Sequence, residues 1–137
     1  MTRKYKLDDF LEELRKSGRL VSVENITDCD SFFTKVYSRF SNIANISEHD
    51  FYVKKLLEKI LNDGYQIREI GLFVECDFGE YDILTVDEED RVSYFEVKKR
   101  KKKTHGRRQV ERFRKRFEGN TKGFIYIGST DEIIEVF

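Results

Sequence analysis

The chain has 137 residues, 39% hydrophobic and 38% charged, with a formal net charge of +0. That length suits one domain with a single modest core, and the apolar share excludes wholesale disorder. No apolar run approaches the roughly 20 residues needed to span a bilayer.

The first ten residues, MTRKYKLDDF, contain no apolar segment to serve as a signal peptide. Cys29 and Cys76 lie far apart, without metal-ligand spacing. A soluble, cytoplasmic protein with two reduced thiols is therefore expected. The zero net charge hides a segregation. Residues 75–90 hold eight acids and no Lys or Arg, whereas residues 98–116 hold twelve Lys/Arg and one acid, Glu111. Local potential rather than net charge governs the attraction of a polyanion.

In chain order, DDFLEELRKS (8–17) has the spacing of a short amphipathic helix, with Gly18 as its stop. Residues 20–24 suit a brief strand. A second helix is expected over 30–41, capped by Asp30 or Ser31. Residues 1–45 carry no motif and read as a helical accessory segment. From Ser47 the signals sharpen. SEHDFYVKKLLEKILNDG places a capping Ser, acids in the first turn, apolar residues at 53, 56, 57, 60 and 61, and a terminating Gly64. Strands are expected at 65–75, 80–86 and 92–99, a helix at 106–118, a buried strand at 123–128 and a last strand at 132–137. The order is that of a mixed α/β domain.

Within the hairpin, alternation puts Glu96 and Lys98 on one face of their strand, and Asp82 on a face with Leu84 and Val86. A three-residue loop, Glu88-Glu89-Asp90, pairs Asp87 with Arg91, Leu84 with Tyr94, and Asp82 with Glu96. A four-residue loop would separate the two acids by face. The shorter loop is preferred because it matches apolar with apolar residues. Opposed residues have Cβ atoms about 4.5–5.5 Å apart, and two carboxylates held so close repel unless a hard cation joins them. Lys98 could orient a metal-bound water or stabilise charge on a phosphate. An isolated Glu-x-Lys is usually a solvated strand edge. Here it sits inside the apolar run YFEV, with a basic run after it.

G-E-Y-D-I-L (79–84), a turn, and F-E-V-K (95–98) together resemble motifs of the PD-(D/E)xK nuclease superfamily. This is the restriction-endonuclease-like fold, which includes archaeal Holliday junction resolvases. The resemblance covers residues 47–128 and implies an α-β-β-β-α-β core. It implies Asp82 and Glu96 as metal ligands, the Val97 carbonyl as a further ligand, Lys98 as the catalytic lysine, and Mg²⁺ (or Mn²⁺) as cofactor. Many members carry another acid on the helix before the meander. Asp50 is the first choice for it, with Glu48 and Glu58 as alternatives; an acid there also simply complements the helix dipole. Some members use a Gln on the following helix, where Gln109 stands.

The basic ramp comprises Lys99, Arg100, Lys101, Lys102, Lys103, His105, Arg107 and Arg108, continued by Arg112 and Arg116. Such residues give affinity for phosphates but no sequence readout. A run of this kind also serves as a nuclear-localisation signal or a solvated loop. The acidic loop 87–90 should lie off a nucleic-acid track. The expectation is a single nuclease domain over 1–137, with residues 129–137 as a C-terminal strand. It would be a Mg²⁺-dependent endodeoxyribonuclease acting on DNA as a homodimer, structure-selective or non-specific, with branched DNA as the candidate substrate. The alternative is a catalytically inactive nucleic-acid-binding module of the same fold.

Overall fold

The computed structural model describes residues 5–63, 65–76, 79–101 and 105–137, with the backbone alone at His105. Its elements are β1 (Tyr5–Lys6), α1 (Leu7–Lys16), β2 (Val21–Ser22), α2 (Cys29–Tyr37), α3 (Glu48–Asn62), β3 (Ile67–Cys76), β4 (Gly79–Asp87), β5 (Val92–Lys98), α4 (His105–Arg116), β6 (Phe117–Glu118), β7 (Thr121–Ile127) and β8 (Glu132–Glu135). The protein is mixed α/β. Six strands form one sheet in the order β2-β3-β4-β5-β7-β8. The β3–β4–β5 meander is antiparallel, and β7 joins β5 in parallel through α4. A parallel neighbour requires such a crossover.

Both faces of the sheet are covered, which explains why residues 81–86 are buried without alternation. On one face α1 contributes Leu7, Phe10, Leu11 and Leu14, and α4 contributes Val110 and Phe113, against Leu84, Val86, Tyr94 and Ile125. On the other, Phe33 and Tyr37 of α2 and Val53, Leu56, Leu57 and Ile60 of α3 pack on Ile70, Leu72, Ile83, Phe95 and Val97. Burying each such side chain stabilises the fold by about 1.5–3 kcal/mol. Residues before Ser47 thus supply core side chains to both layers, and β2 pairs with β3 as an edge strand.

Several boundaries depart from the sequence expectation for local reasons. The cap of α2 is Asp28, not Asp30 or Ser31. Its extended backbone lets the carboxylate accept from the Asp30 N–H at 3.1 Å and from the Ser31 hydroxyl. The helix ends at Tyr37 rather than 41. Helix α4 stops at Arg116, because Phe117 and Glu118 pair with Tyr5 and Lys6 as a two-stranded ribbon. Gly64, the expected stop of α3, lies outside the described residues. Ser47 caps α3 as expected, accepting from the Asp50 N–H at 3.1 Å. Both cysteines are free thiols.

The hairpin register is the three-residue-loop one: Val86 faces Val92 and Leu84 faces Tyr94. The Asp87 N–H donates to the Arg91 carbonyl at 3.0 Å, and Asp90 takes a positive φ of 62°. Asp87 closes the turn by accepting from the N–H groups of Glu89 and Arg91, both at 2.9 Å.

Candidate active site

The β4–β5 ladder ends at Ile83↔Phe95, and Asp82 and Glu96 are next in that register. The Val97 N–H donates not to backbone but to Asp82 Oδ2, at 2.9 Å. Because N–H and C=O of one strand residue point to the same side, the Val97 carbonyl faces the same gap between the strands. Asp82 does not share the face of Leu84 and Val86 as alternation predicts. Tyr81 packs with Leu84 and Val86, while Phe73, across from Asp82 in the β3–β4 register, packs with Leu72 on the other face. Phe73 has a φ of 49°, so the pleat is broken where Asp82 stands.

Asp82 and Glu96 are each only 5% exposed. Glu96 Oε2 is buried with no hydrogen-bond partner among the described residues. Burial, then the contact with Asp82 and its charge, push the Glu96 carboxyl up to about 8, against a smaller downward pull from Lys98. Burial also pushes Asp82 upward, but hydrogen bonds involving His49, Glu96 and the Val97 N–H outweigh it and hold Asp82 below the ordinary carboxylate value. Burial and the facing Asp82 thus favour the protonated form of Glu96, while the groups around Asp82 favour its ionised form.

This chemistry fits a hard divalent cation. Two carboxyls, one with an unpartnered oxygen, and a carbonyl facing the same gap are oxygen donors of the type Mg²⁺ takes. A cation between them would offset the same repulsion between the two carboxyls. Among the described residues no group of three or more His, Cys, Asp or Glu is placed to hold a metal, so water would complete the coordination, as Mg²⁺ readily accepts.

Lys98 ends β5, half-buried, with its aliphatic stem against Gly106 at the start of α4. A Cβ on Gly106 would lie 3.3 Å from Lys98 Cε, so the glycine leaves room for the lysine. Gln109, one turn on, has a buried Oε1 without a hydrogen-bond partner among the described residues. Lys99, Arg100, Lys101, Arg107, Arg108 and Arg112 are exposed, and Arg116 is half-buried. Arg107, Arg108, Glu111, Arg112 and Lys115 line a shallow depression of about 400 Å³ on α4. Lys102, Lys103 and the His105 side chain lie outside the described residues. The acidic turn is at the far end of the hairpin, five residues from Asp82 along β4, on the order of 17 Å.

Of the three helix acids, Glu48 is exposed and Glu58 is half-buried near Cys29. Asp50 faces inward with both oxygens engaged. Oδ2 accepts from the Tyr37 hydroxyl at 2.8 Å, and Oδ1 lies 2.9 Å from His49 Nδ1. His49 Nε2 in turn lies 3.4 Å from Asp82 Oδ2. Asp50 thus meets the acid pair through His49, a residue the sequence motifs do not single out. With both ring nitrogens facing carboxylates, the imidazole is held doubly protonated. The hydrogen bond to Asp82, opposed by burial, and the charges of Asp82 and Asp50 raise its pKa to about 9.

Fold and site together define a mixed α/β protein with a buried acid pair at the open end of a β-hairpin, beside a lysine and a basic helix. No protein-family model and no curated protein matches the sequence. Among solved structures, the chain is similar to the crystal structure of a repair endonuclease from Pyrococcus abyssi, at 19% identity and a TM-score of 0.47. The similarity covers 61% of this chain, which spans 39% of that one. No helix among the described residues is long and apolar enough to cross a membrane.

Proposed function

We propose that the protein is a metal-dependent nuclease of the PD-(D/E)xK type, hydrolysing phosphodiester bonds in DNA. The observation that carries this reading is the buried Asp82–Glu96 pair, whose unpartnered oxygen lies where the hairpin ladder opens beside Lys98. Asp82, Glu96 and the Val97 carbonyl would hold Mg²⁺ or Mn²⁺. Bound there, the cation would supply Lewis acidity toward a phosphoryl oxygen and a more acidic water.

The rest falls to the chain's own groups. Lys98, kept close by Gly106, stands to stabilise charge developing on the phosphate. Gln109 offers an amide to orient a water or a phosphate oxygen. The exposed bases of α4 and of residues 99–101 would hold the phosphate chain and give no base readout, which favours structure-selective or non-specific cutting. Branched DNA suits a homodimer, since two cuts on symmetric DNA need two sites.

The test is incubation with labelled duplex, single-stranded and four-way-junction DNA, in Mg²⁺ or Mn²⁺ against EDTA, alongside Glu96→Gln and Lys98→Ala. Metal-dependent cutting lost in both variants supports the reading. Tight binding without cutting under either metal would make the chain a nucleic-acid-binding module and overturn the catalytic assignment.

A further inference from the structure

The strongest arrangement outside the acid pair is a line of two hydrogen bonds and one ion pair across three elements. It starts at Tyr37 on α2, passes through Asp50 and His49 at the head of α3, and ends on Asp82 of β4. Its members are fixed independently. The Tyr37 ring is 2% exposed and stacked on Phe33 at 5.4 Å, with Phe73 at 5.7 Å. The Ser47 cap anchors the Asp50 backbone. At the other end, Asp82 Oδ2 faces both the Val97 N–H and His49 Nε2. That oxygen is committed to the protein, which fixes one end of the carboxylate beside Glu96.

We infer that His49 is a positioning residue of the site: oriented by Asp50 and Tyr37, it locks the Asp82 carboxylate in its rotamer beside Glu96. The inference rests on the reading of that pair as a cation site. It makes Asp50 a residue that acts through His49 rather than a direct ligand. A carboxylate with one oxygen held by the Val97 N–H and by the His49 ion pair has less freedom to swing, so a cation would meet a preformed donor. Groups that hold metal-ligand side chains in this way typically cost 10–100-fold in metal affinity or activity when removed.

The experiment is a Mn²⁺ titration of the full chain, followed by calorimetry and by electron paramagnetic resonance, with His49→Ala, Asp50→Ala, the double variant, Tyr37→Phe and His49→Gln. His49 is half-exposed, so its replacement leaves the core intact; thermal unfolding of each variant checks this. The expected result is a Mn²⁺ Kd about 10-fold weaker or more in each alanine variant, with the double variant no worse than the singles because the residues act in one line. Tyr37→Phe should show a smaller loss, and His49→Gln, which retains an N–H for Asp82, partial recovery. A Kd unchanged in His49→Ala, or effects of His49 and Asp50 that multiply, would overturn the inference.

If the wild type binds neither Mn²⁺ nor Mg²⁺, the cation-site reading fails, and nitrogen-15 spectra of the metal-free protein decide the line by itself. Slowly exchanging His49 ring N–H signals, lost in Asp50→Ala, would support it. Freely exchanging ones would refute it.

Discussion

Replacing Glu96 with Gln should make the metal-free protein more stable at neutral pH while removing its activity. In the fold the Glu96 carboxyl titrates at about 8 instead of 4.5, chiefly because it is buried and faces Asp82. Between those values the folded chain keeps a proton that the unfolded chain has released, so stability falls as pH rises through the window. Each pH unit removes about 1.4 kcal/mol, which amounts to a ceiling of about 3 kcal/mol by pH 7. Glutamine has the shape of the protonated acid and can donate to Asp82 as that acid does, but it never ionises. With EDTA present, the variant should therefore match the wild type within about 0.5 kcal/mol near pH 4.5, and exceed it by up to about 3 kcal/mol near pH 7. For a chain of this size that is roughly 10 °C in unfolding midpoint. Asp82, held low, contributes in the opposite sense and only in acid. The raised His49 makes both proteins lose stability from about pH 6.5 to 9, so the difference between them isolates Glu96. Adding Mg²⁺ at neutral pH should close the gap by stabilising the wild type alone. Parallel stability–pH curves for the two proteins would refute the buried-acid account.

Cation binding near pH 7 should displace the Glu96 proton. Calorimetry in two buffers of different ionisation enthalpy should then count about one proton released by the wild type and none by Glu96→Gln. Gly106→Ala puts a methyl group 3.3 Å from Lys98 Cε; cutting should slow several-fold while the unfolding midpoint holds or rises, since Ala favours a helix by up to about 1 kcal/mol over Gly. Arg112→Ala and Lys115→Ala should each weaken DNA binding across all sequences and lower the slope of log K against log salt by about 1, measured by fluorescence anisotropy. Phe113→Ala, which empties a fully buried site between α4 and Tyr81 and Tyr94, should cost about 3–5 kcal/mol in urea unfolding.

Much of the fold was legible because its signals are local. Ser47 sits where a cap must accept the Asp50 N–H. The three-residue turn and the apolar pairs above it leave one register, which brings Asp82 to Glu96. What the sequence hid depends on contacts between distant elements. Phe117 and Glu118 continue the helical pattern, yet pairing with Tyr5 and Lys6 draws them into a strand. Asp28 caps α2 although its neighbours Asp30 and Ser31 carry equally good capping groups; only the backbone path selects it. His49 was hidden most completely. On α3 it is merely the neighbour of Asp50, and nothing in that spacing tells that β4 will pass within 3.4 Å of its ring.

The break in the pleat at Phe73 ties these pieces together. A bulky residue at a φ of 49° is strained by about 1–3 kcal/mol, and ordinary alternation would have turned its ring to the α1–α4 face. Instead the ring lies on the α2–α3 face, 5.7 Å from Tyr37 and 6.0 Å from Phe33. Those contacts supply burial that offsets the strain. Directly across the ladder, the same break leaves Asp82 out of the regular pairing of β3 with β4, and its carboxylate bonds the Val97 N–H and approaches His49. The strained residue thus supports both ends of one structure: it packs Tyr37, which holds Asp50, and it interrupts the strand where Asp82 must leave the pleat. A sheet of unbroken alternation would have kept Asp82 on the α1–α4 face, away from His49.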